Sequence, residues 1–199
     1  MPTRDSDIRA ALHSGELAAH ACDPDTLVLD EMAICQGDFR IDVAVVNGSL
    51  SGYEIKSDRD TLARLPAQAE AYGRVFDRVT LVVGARHLGA AAALVPEWWR
   101  ILGAEPCPGG FPALRPIRAG SRNPELDVLA LARFLWTGEA LALLESRGGL
   151  RGLRGKSRRH LWAALAERYG AAELSVEVRA ALRARPAWRT PDRAAAPRA

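Results

Sequence analysis

The stretch from residue 39 to residue 56, FRIDVAVVNGSLSGYEIK, constrains the fold most. Two β-rich runs, 39–46 and 50–55, flank the turn signal Asn47-Gly48, so the pair reads as a hairpin. Charged residues interrupt the apolar pattern. Asp42 sits inside the first run, and Glu54 and Lys56 stand two apart at the end of the second. Side chains alternate along a strand, so Glu54 and Lys56 share one face, and Tyr53 and Ile55 share the other. Asp42 shares its face with Ala44 and Val46, a mostly covered face. Register decides whether the acids meet. A two-residue turn would place Asp42 opposite Tyr53. Asp42 opposite Glu54 requires a three-residue connection, or a bulge at Gly48 or Gly52. An irregular hairpin is therefore expected.

The surrounding segments read as α/β. Residues 5–21 form an amphipathic helix with Ile8, Leu12 and Leu17, and residues 26–35 are ambiguous between strand and helix. From Asp60 the apolar period becomes helical through Leu62, Leu65, Ala69, Tyr72 and Phe76, with Pro66 separating a first turn from a longer helix. Residues 78–84 (RVTLVVG) are a strand buried on both faces, 88–95 a helix, and 100–104 a further strand. Residues 105–120, rich in proline and glycine, read as a linker. Asn123-Pro124-Glu125 opens a helix reaching Trp136, and others follow to Glu145, over 157–169 and over 175–184. The expected organisation is a core over 1–105, a loop over 106–122, a basic helical extension over 123–185 and a flexible tail over 186–199. Trp98-Trp99 is expected to pack rather than to stack bases.

Composition narrows the function. The chain has 199 residues, 48% hydrophobic and 26% charged, as in an ordinary globular domain. No apolar run is long enough for a membrane span, no secretory signal is evident, and three scattered cysteines suggest neither a disulfide scaffold nor a zinc site. A cytoplasmic protein without a membrane partner is expected. GxSxG, GxxxxGK[ST] and GxGxxG motifs are absent. Of 27 basic residues only Lys56 and Lys156 are lysine. Arginine replaces lysine almost everywhere else, which draws attention to Lys56.

Two carboxylates and an ammonium on one covered sheet face would be costly without partners. They make a hard, oxygen-rich site suited to Mg²⁺ or a similar cation, which would bind a phosphate oxygen and acidify a bound water. Lys56 would hold that water or neutralise phosphate charge as a compact point charge, a role to which the arginine fork is poorly suited. The alternative is a salt-bridged strand face open to solvent.

An acid in one strand, E-x-K in the next and a following helix resemble the PD-(D/E)XK nuclease superfamily. The matching residues are Ile41-Asp42, Glu54-Ile55-Lys56 and Gln68-Ala69-Glu70-Ala71-Tyr72. The last of these is similar to the Q-x-x-x-Y motif of RecB-like members. The strings GYEIKSDRDTLARL and VFDRVTLVVG also resemble an uncharacterised bacterial family within that superfamily. The resemblance covers roughly residues 25–105. Ile41 stands where the superfamily has proline, a departure that leaves metal binding intact. The resemblance implies a restriction-endonuclease-like mixed sheet flanked by helices, and metal-dependent cleavage of phosphodiester bonds, with DNA as the expected substrate. It implies Asp42 and Glu54 as ligands of Mg²⁺ or Mn²⁺ with the Ile55 carbonyl, and Glu31 as an additional acid for which Asp30 competes. Lys56 would serve the attacking water, with Gln68 and Tyr72 supporting it or touching substrate. For Gln68 and Tyr72 the alternative is a helix face with Tyr72 in the core.

Charge is uneven. Residues 1–119 carry 12 basic and 16 acidic groups, and residues 120–199 carry 15 and 8. Arg151, Arg154, Lys156, Arg158 and Arg159 cluster among glycines at the start of a helix, where cations oppose the helix dipole unless a phosphate arrives. They are the expected nucleic-acid contacts, against the alternative of a solvated basic loop. A catalytically silent or partner-dependent binding module on the same fold is the rival to an active nuclease.

Overall fold

A computed structural model describes residues 2–108, 110–149 and 151–185; the expected tail over 186–199 lies outside the described residues. In chain order the elements begin with helices α1 (Asp5–Ser14) and α2 (Ala18–Ala21), then strands β1 (Leu27–Ile34), β2 (Phe39–Val46) and β3 (Leu50–Lys56). Helix α3 (Leu65–Gly73), strand β4 (Arg78–Gly84), helix α4 (Leu88–Leu94) and strands β5 (Arg100–Glu105) and β6 (Ala113–Arg118) follow. Helices α5 (Val128–Ala132), α6 (Thr137–Ser146), α7 (Arg158–Arg168) and α8 (Ala171–Ala184) complete the described chain.

The six strands form one mixed sheet in sequence order. Strand β3 pairs with β4 and β4 with β5 in parallel, because α3 and α4 are the crossovers; the other pairs are antiparallel. Each sheet face has its own core. Ile8, Leu12 and Leu17 cover Val43, Val45, Tyr53, Ile55, Val82 and Leu102 on one face. On the other, Ala44, Val46, Leu50, Leu81 and Val83 pack against α3, α4 and the C-terminal helices in a single cluster. Strand β4 is buried on both faces, as its continuous apolar run predicts. Tyr72 anchors the larger cluster, stacked on Trp99 (6.1 Å between centroids) and edge-on to Phe76 (5.8 Å). Trp99 is fully buried, in line with the packing expectation.

The hairpin is irregular as expected. Val46 pairs with Leu50 and Val43 with Tyr53, so Asn47, Gly48 and Ser49 form a three-residue connection. Ser49 N–H bonds to the Asn47 side chain at 3.0 Å to close it. Gly52 lies in the regular ladder opposite Ala44 and makes no bulge. Its missing side chain matters differently: a Cβ there would meet Ile41 at 3.2 Å and Phe76 at 3.3 Å.

Several boundaries depart from expectation. The first helix stops at Ser14, and α2 is a separate turn. Pro66 lies in the opening turn of α3, where its missing N–H has no helical partner to lose, and so starts the helix instead of splitting it. The expected linker contains β6, an edge strand that tolerates Pro116 beside a ladder irregularity. Asn123 does not cap a helix: its amide donates to the carbonyls of Gly73 (2.6 Å) and Phe76 (2.9 Å), which fastens the chain to the end of α3. The helix begins later, where the Asp127 carboxylate accepts from Ala130 N–H at 2.9 Å.

Helix α8 is welded to the sheet through Asp77, 1% exposed after α3. One Asp77 oxygen accepts from Leu50 N–H (2.8 Å), Arg179 (3.1 Å) and Ser175 (3.5 Å), and the other from Arg122 (3.0 Å). Among the described residues no helix is long and apolar enough to cross a membrane.

Candidate metal and phosphate site

The centre of the site is Glu54, 2% exposed on β3. Its Oε1 accepts from Lys56 Nζ at 2.5 Å and from Gln68 Nε2 at 2.6 Å. Its Oε2 lies 2.7 Å from the Tyr72 hydroxyl, which also lies 2.8 Å from the Arg40 carbonyl. One phenolic hydrogen serves only one of these acceptors at a time. Gln68 and Tyr72 reach the same carboxylate because they stand one helical turn apart on α3. Gln68 Nε2 also donates to the Tyr72 oxygen at 3.2 Å, which fixes the amide orientation. Gln68 Oε1 is then buried with no hydrogen-bond partner among the described residues. Burial, followed by the Glu54 charge, pushes the Tyr72 phenol well above its usual range. Tyr72 is thus a neutral donor and a core residue at once, so the two readings of it are not exclusive.

Asp42 joins from β2. Its Oδ2 accepts the Ile55 N–H at 2.6 Å, and its Oδ1 is 3.2 Å from Arg9 Nη2. Burial and then the neighbouring Glu54 charge push its carboxyl up to about 7, against the opposing pull of the Ile55 N–H and Arg9. Two carboxylates held this close repel, and a cation between them would relieve that repulsion. Ile55 itself turns its side chain to the opposite face, in the smaller core.

Glu31 marks a kink. Its φ is 55°, a left-handed conformation inside a strand. The β1–β2 ladder runs through Asp30 opposite Val43 and Met32 opposite Ile41, and skips Glu31 and Asp42 between them. Both strands change face there: Ile41 and Ala44, three apart, belong to the same core cluster. The Glu31 carboxylate points to arginines, at 2.8 Å from Arg9 and 2.9 Å from Arg40. Among the described residues no three His, Cys, Asp or Glu side chains gather as a metal-ligand set. The two-acid set of Asp42 and Glu54 is what the fold assembles, and Glu31 reaches it through Arg9.

Arg9 is the residue that sequence reasoning missed. From α1 it reaches the Asp42 carbonyl (2.7 Å), the Asp42 carboxylate and Glu31. Burial acts to lower its pKa, but Asp5, Asp42, Glu31 and Asp30 outweigh that and raise it. Nothing singles it out among the 25 arginines of the sequence.

Arg151, Arg154, Lys156, Arg158 and Arg159 are all exposed, in the loop before α7 and its first turn. Arg154 pairs with Glu145 at 3.0 Å, and Arg158 lies 4.9 Å from the Trp162 ring centroid. None of the five bonds to the acid cluster among the described residues.

Comparison with known proteins gives three findings. A solved structure, the SPO1766 protein of unknown function from Silicibacter pomeroyi, is similar with a TM-score of 0.40 and 20% identity over 71% of this chain and 87% of that one. Protein cII of Enterobacteria phage P4 is 41% identical over 58 residues, 29% of this chain. The match spans only 22% of that protein's length. The family model described as Bacteriophage P4 protein cII matches residues 4–189, nearly the whole sequence, and the chain therefore belongs to the bacteriophage P4 protein cII family.

Proposed function

We propose that the chain is a metal-dependent nuclease that hydrolyses phosphodiester bonds, with DNA as substrate, working in the cytoplasm. The observation that carries this reading is the convergence on Glu54. Lys56, Gln68 and Tyr72 all contact its carboxylate, and the neighbouring Asp42 carboxyl is pushed up to about 7, by burial first and by the Glu54 charge second. The mixed sheet carrying E-x-K on β3 beside an acid on β2 supports a restriction-endonuclease-like reading of the fold.

Asp42, Glu54 and the Ile55 carbonyl would hold Mg²⁺ or Mn²⁺, hard cations that take oxygen ligands. The ion, when bound, supplies Lewis acidity and a water of lowered pKa. The residues of the chain do the positioning. Tyr72 and Gln68 fix the Glu54 carboxylate from the helix side, and Arg9 and the Ile55 N–H fix Asp42. Lys56 brings an ammonium to the edge of this set, placed to hold the attacking water or to neutralise charge on the phosphate. Exposed Arg151, Arg154, Lys156, Arg158 and Arg159 supply phosphate contacts on the helical side.

The test is cleavage of DNA by purified protein with Mg²⁺ or Mn²⁺, compared with Asp42→Ala and Lys56→Ala. Activity should require the metal and disappear in both variants while each still melts cooperatively. Cleavage that survives both substitutions would refute the assignment. A second reading, a binding module without cleavage, is favoured by the lack of a third acidic ligand among the described residues. It predicts salt-sensitive DNA binding and no cleavage under any divalent ion.

A further inference from the structure

A concavity of about 290 Å³ lies between the β1–β2 hairpin tip and the helical extension. Its volume is at the lower end for small-ligand clefts, about 300 Å³. Trp136, Phe134 and Trp162 supply aromatic surface and Arg133 and Arg158 supply positive charge, while the third lining arginine, Arg185, is paired with Glu139. An aromatic recess bordered by two arginines is complementary to a flat ring that carries phosphate.

The walls are set in advance. Trp136 is 51% exposed although its surroundings hold it firmly. Its backbone N–H donates to Glu139 at 2.7 Å, and the Arg185 guanidinium, itself bonded to Glu139, lies 4.1 Å from the ring centroid. Arg133 is half-buried, and its guanidinium makes no hydrogen bond or ion pair among the described residues. The opposite wall is the turn Cys35-Gln36-Gly37, with φ of 50°, 64° and 104° in succession. Two consecutive non-glycine residues in that conformation hold the tip in a strained shape against the cleft.

The cleft is one strand pair away from the acids. Ala33 lines it and is laddered to Arg40, whose carbonyl lies 2.8 Å from the Tyr72 hydroxyl at Glu54. We propose that this cleft receives an unpaired nucleobase, stacked on Trp136 with its phosphate on Arg133 and Arg158, so that the substrate is a single-stranded or splayed nucleic acid. A base inside an intact duplex has both faces stacked and cannot present one to Trp136. The inference rests on the proposed reading of the acids as a nucleic-acid site, and it assigns the substrate class.

The test is done without metal, in EDTA, so that binding is read apart from cleavage. Tryptophan fluorescence is followed as the full chain is titrated with a short single-stranded DNA, the same sequence as a blunt duplex, and deoxyadenosine monophosphate. The single strand should bind about tenfold more tightly than the duplex, and Trp136→Ala and Arg133→Gln should each weaken it by about tenfold. Both side chains are partly exposed, so melting curves of the variants should match the parent. Equal affinity for duplex, unchanged affinity in both variants, or a mononucleotide bound as tightly as the oligonucleotide would each overturn the proposal. Strand binding of the expected kind with no divalent-dependent cleavage would leave it standing and refute the nuclease reading instead.

Discussion

Two buried carboxylates, Glu54 on β3 and Asp77 in the turn before β4, have opposite surroundings. Asp77 is closed: Leu50 N–H, Ser175, Arg179 and Arg122 occupy its two oxygens, and two guanidiniums face one carboxylate. Glu54 has three donors, Lys56, Gln68 and Tyr72, but a second acid stands beside it, and Gln68 Oε1 is buried without a partner among the described residues. The first arrangement is complete as it stands and joins helix α8 to the sheet. The second leaves Glu54 with Lys56 alone and makes Asp42 share the single guanidinium of Arg9 with Asp5, Asp30 and Glu31. Burial is common to both acids; the balance of partners is what separates them.

The largest effect should come from breaking the closed cluster. Asp77→Ala leaves Arg179, 8% exposed, without its carboxylate, and should cost about 3–5 kcal/mol in urea denaturation. The open cluster should respond in the opposite sense. Asp42 holds its proton more tightly in the folded chain than in the unfolded one. The stability this contributes is complete below about pH 4 and is lost as the pH rises through about 7. The loss is at most on the order of 4 kcal/mol, the value of a shift of this size. Asp42→Asn should therefore melt higher than the parent at pH 8 and show little difference at pH 4. A variant that is less stable at pH 8 would contradict the charge imbalance.

Lys56→Arg should fold, since the ion pair to Glu54 is kept, yet lose cleavage by about 10²-fold, because a guanidinium cannot take the compact position of the ammonium. Restored activity in that variant would remove the argument for lysine at this position. The smallest effect is expected from Tyr72→Phe, which keeps the stacking on Trp99 and removes the hydroxyl at Glu54. About 1.5 kcal/mol of stability should be lost, the value of one hydrogen bond to a charged group.

The site was legible in the sequence where strand and helix periods carry the information. Glu54 and Lys56 share a face because they stand two apart, and Gln68 and Tyr72 share a helix side because they stand four apart. Parity left two ways to bring Asp42 opposite Glu54, a three-residue connection or a bulge, and the structure has the three-residue connection. The rest depends on long-range contacts that leave no local period. Arg9 meets Asp42 across 33 residues, and Asp77 meets Arg179 across 102. The positive φ of Glu31 is imposed by the paired kink in β1 and β2, and glutamate has no local preference for it. Strand β6 was obscured by Pro116, which an edge strand accepts and a central one does not.

The most direct measurement is a calorimetric titration of Mn²⁺ into the parent, Asp42→Asn and Glu54→Gln at pH 6 and pH 8. The account predicts binding to the parent that strengthens from pH 6 to pH 8, as Asp42 gives up its proton, and that is lost in both variants. No binding at either pH, or binding that survives both substitutions, would contradict it.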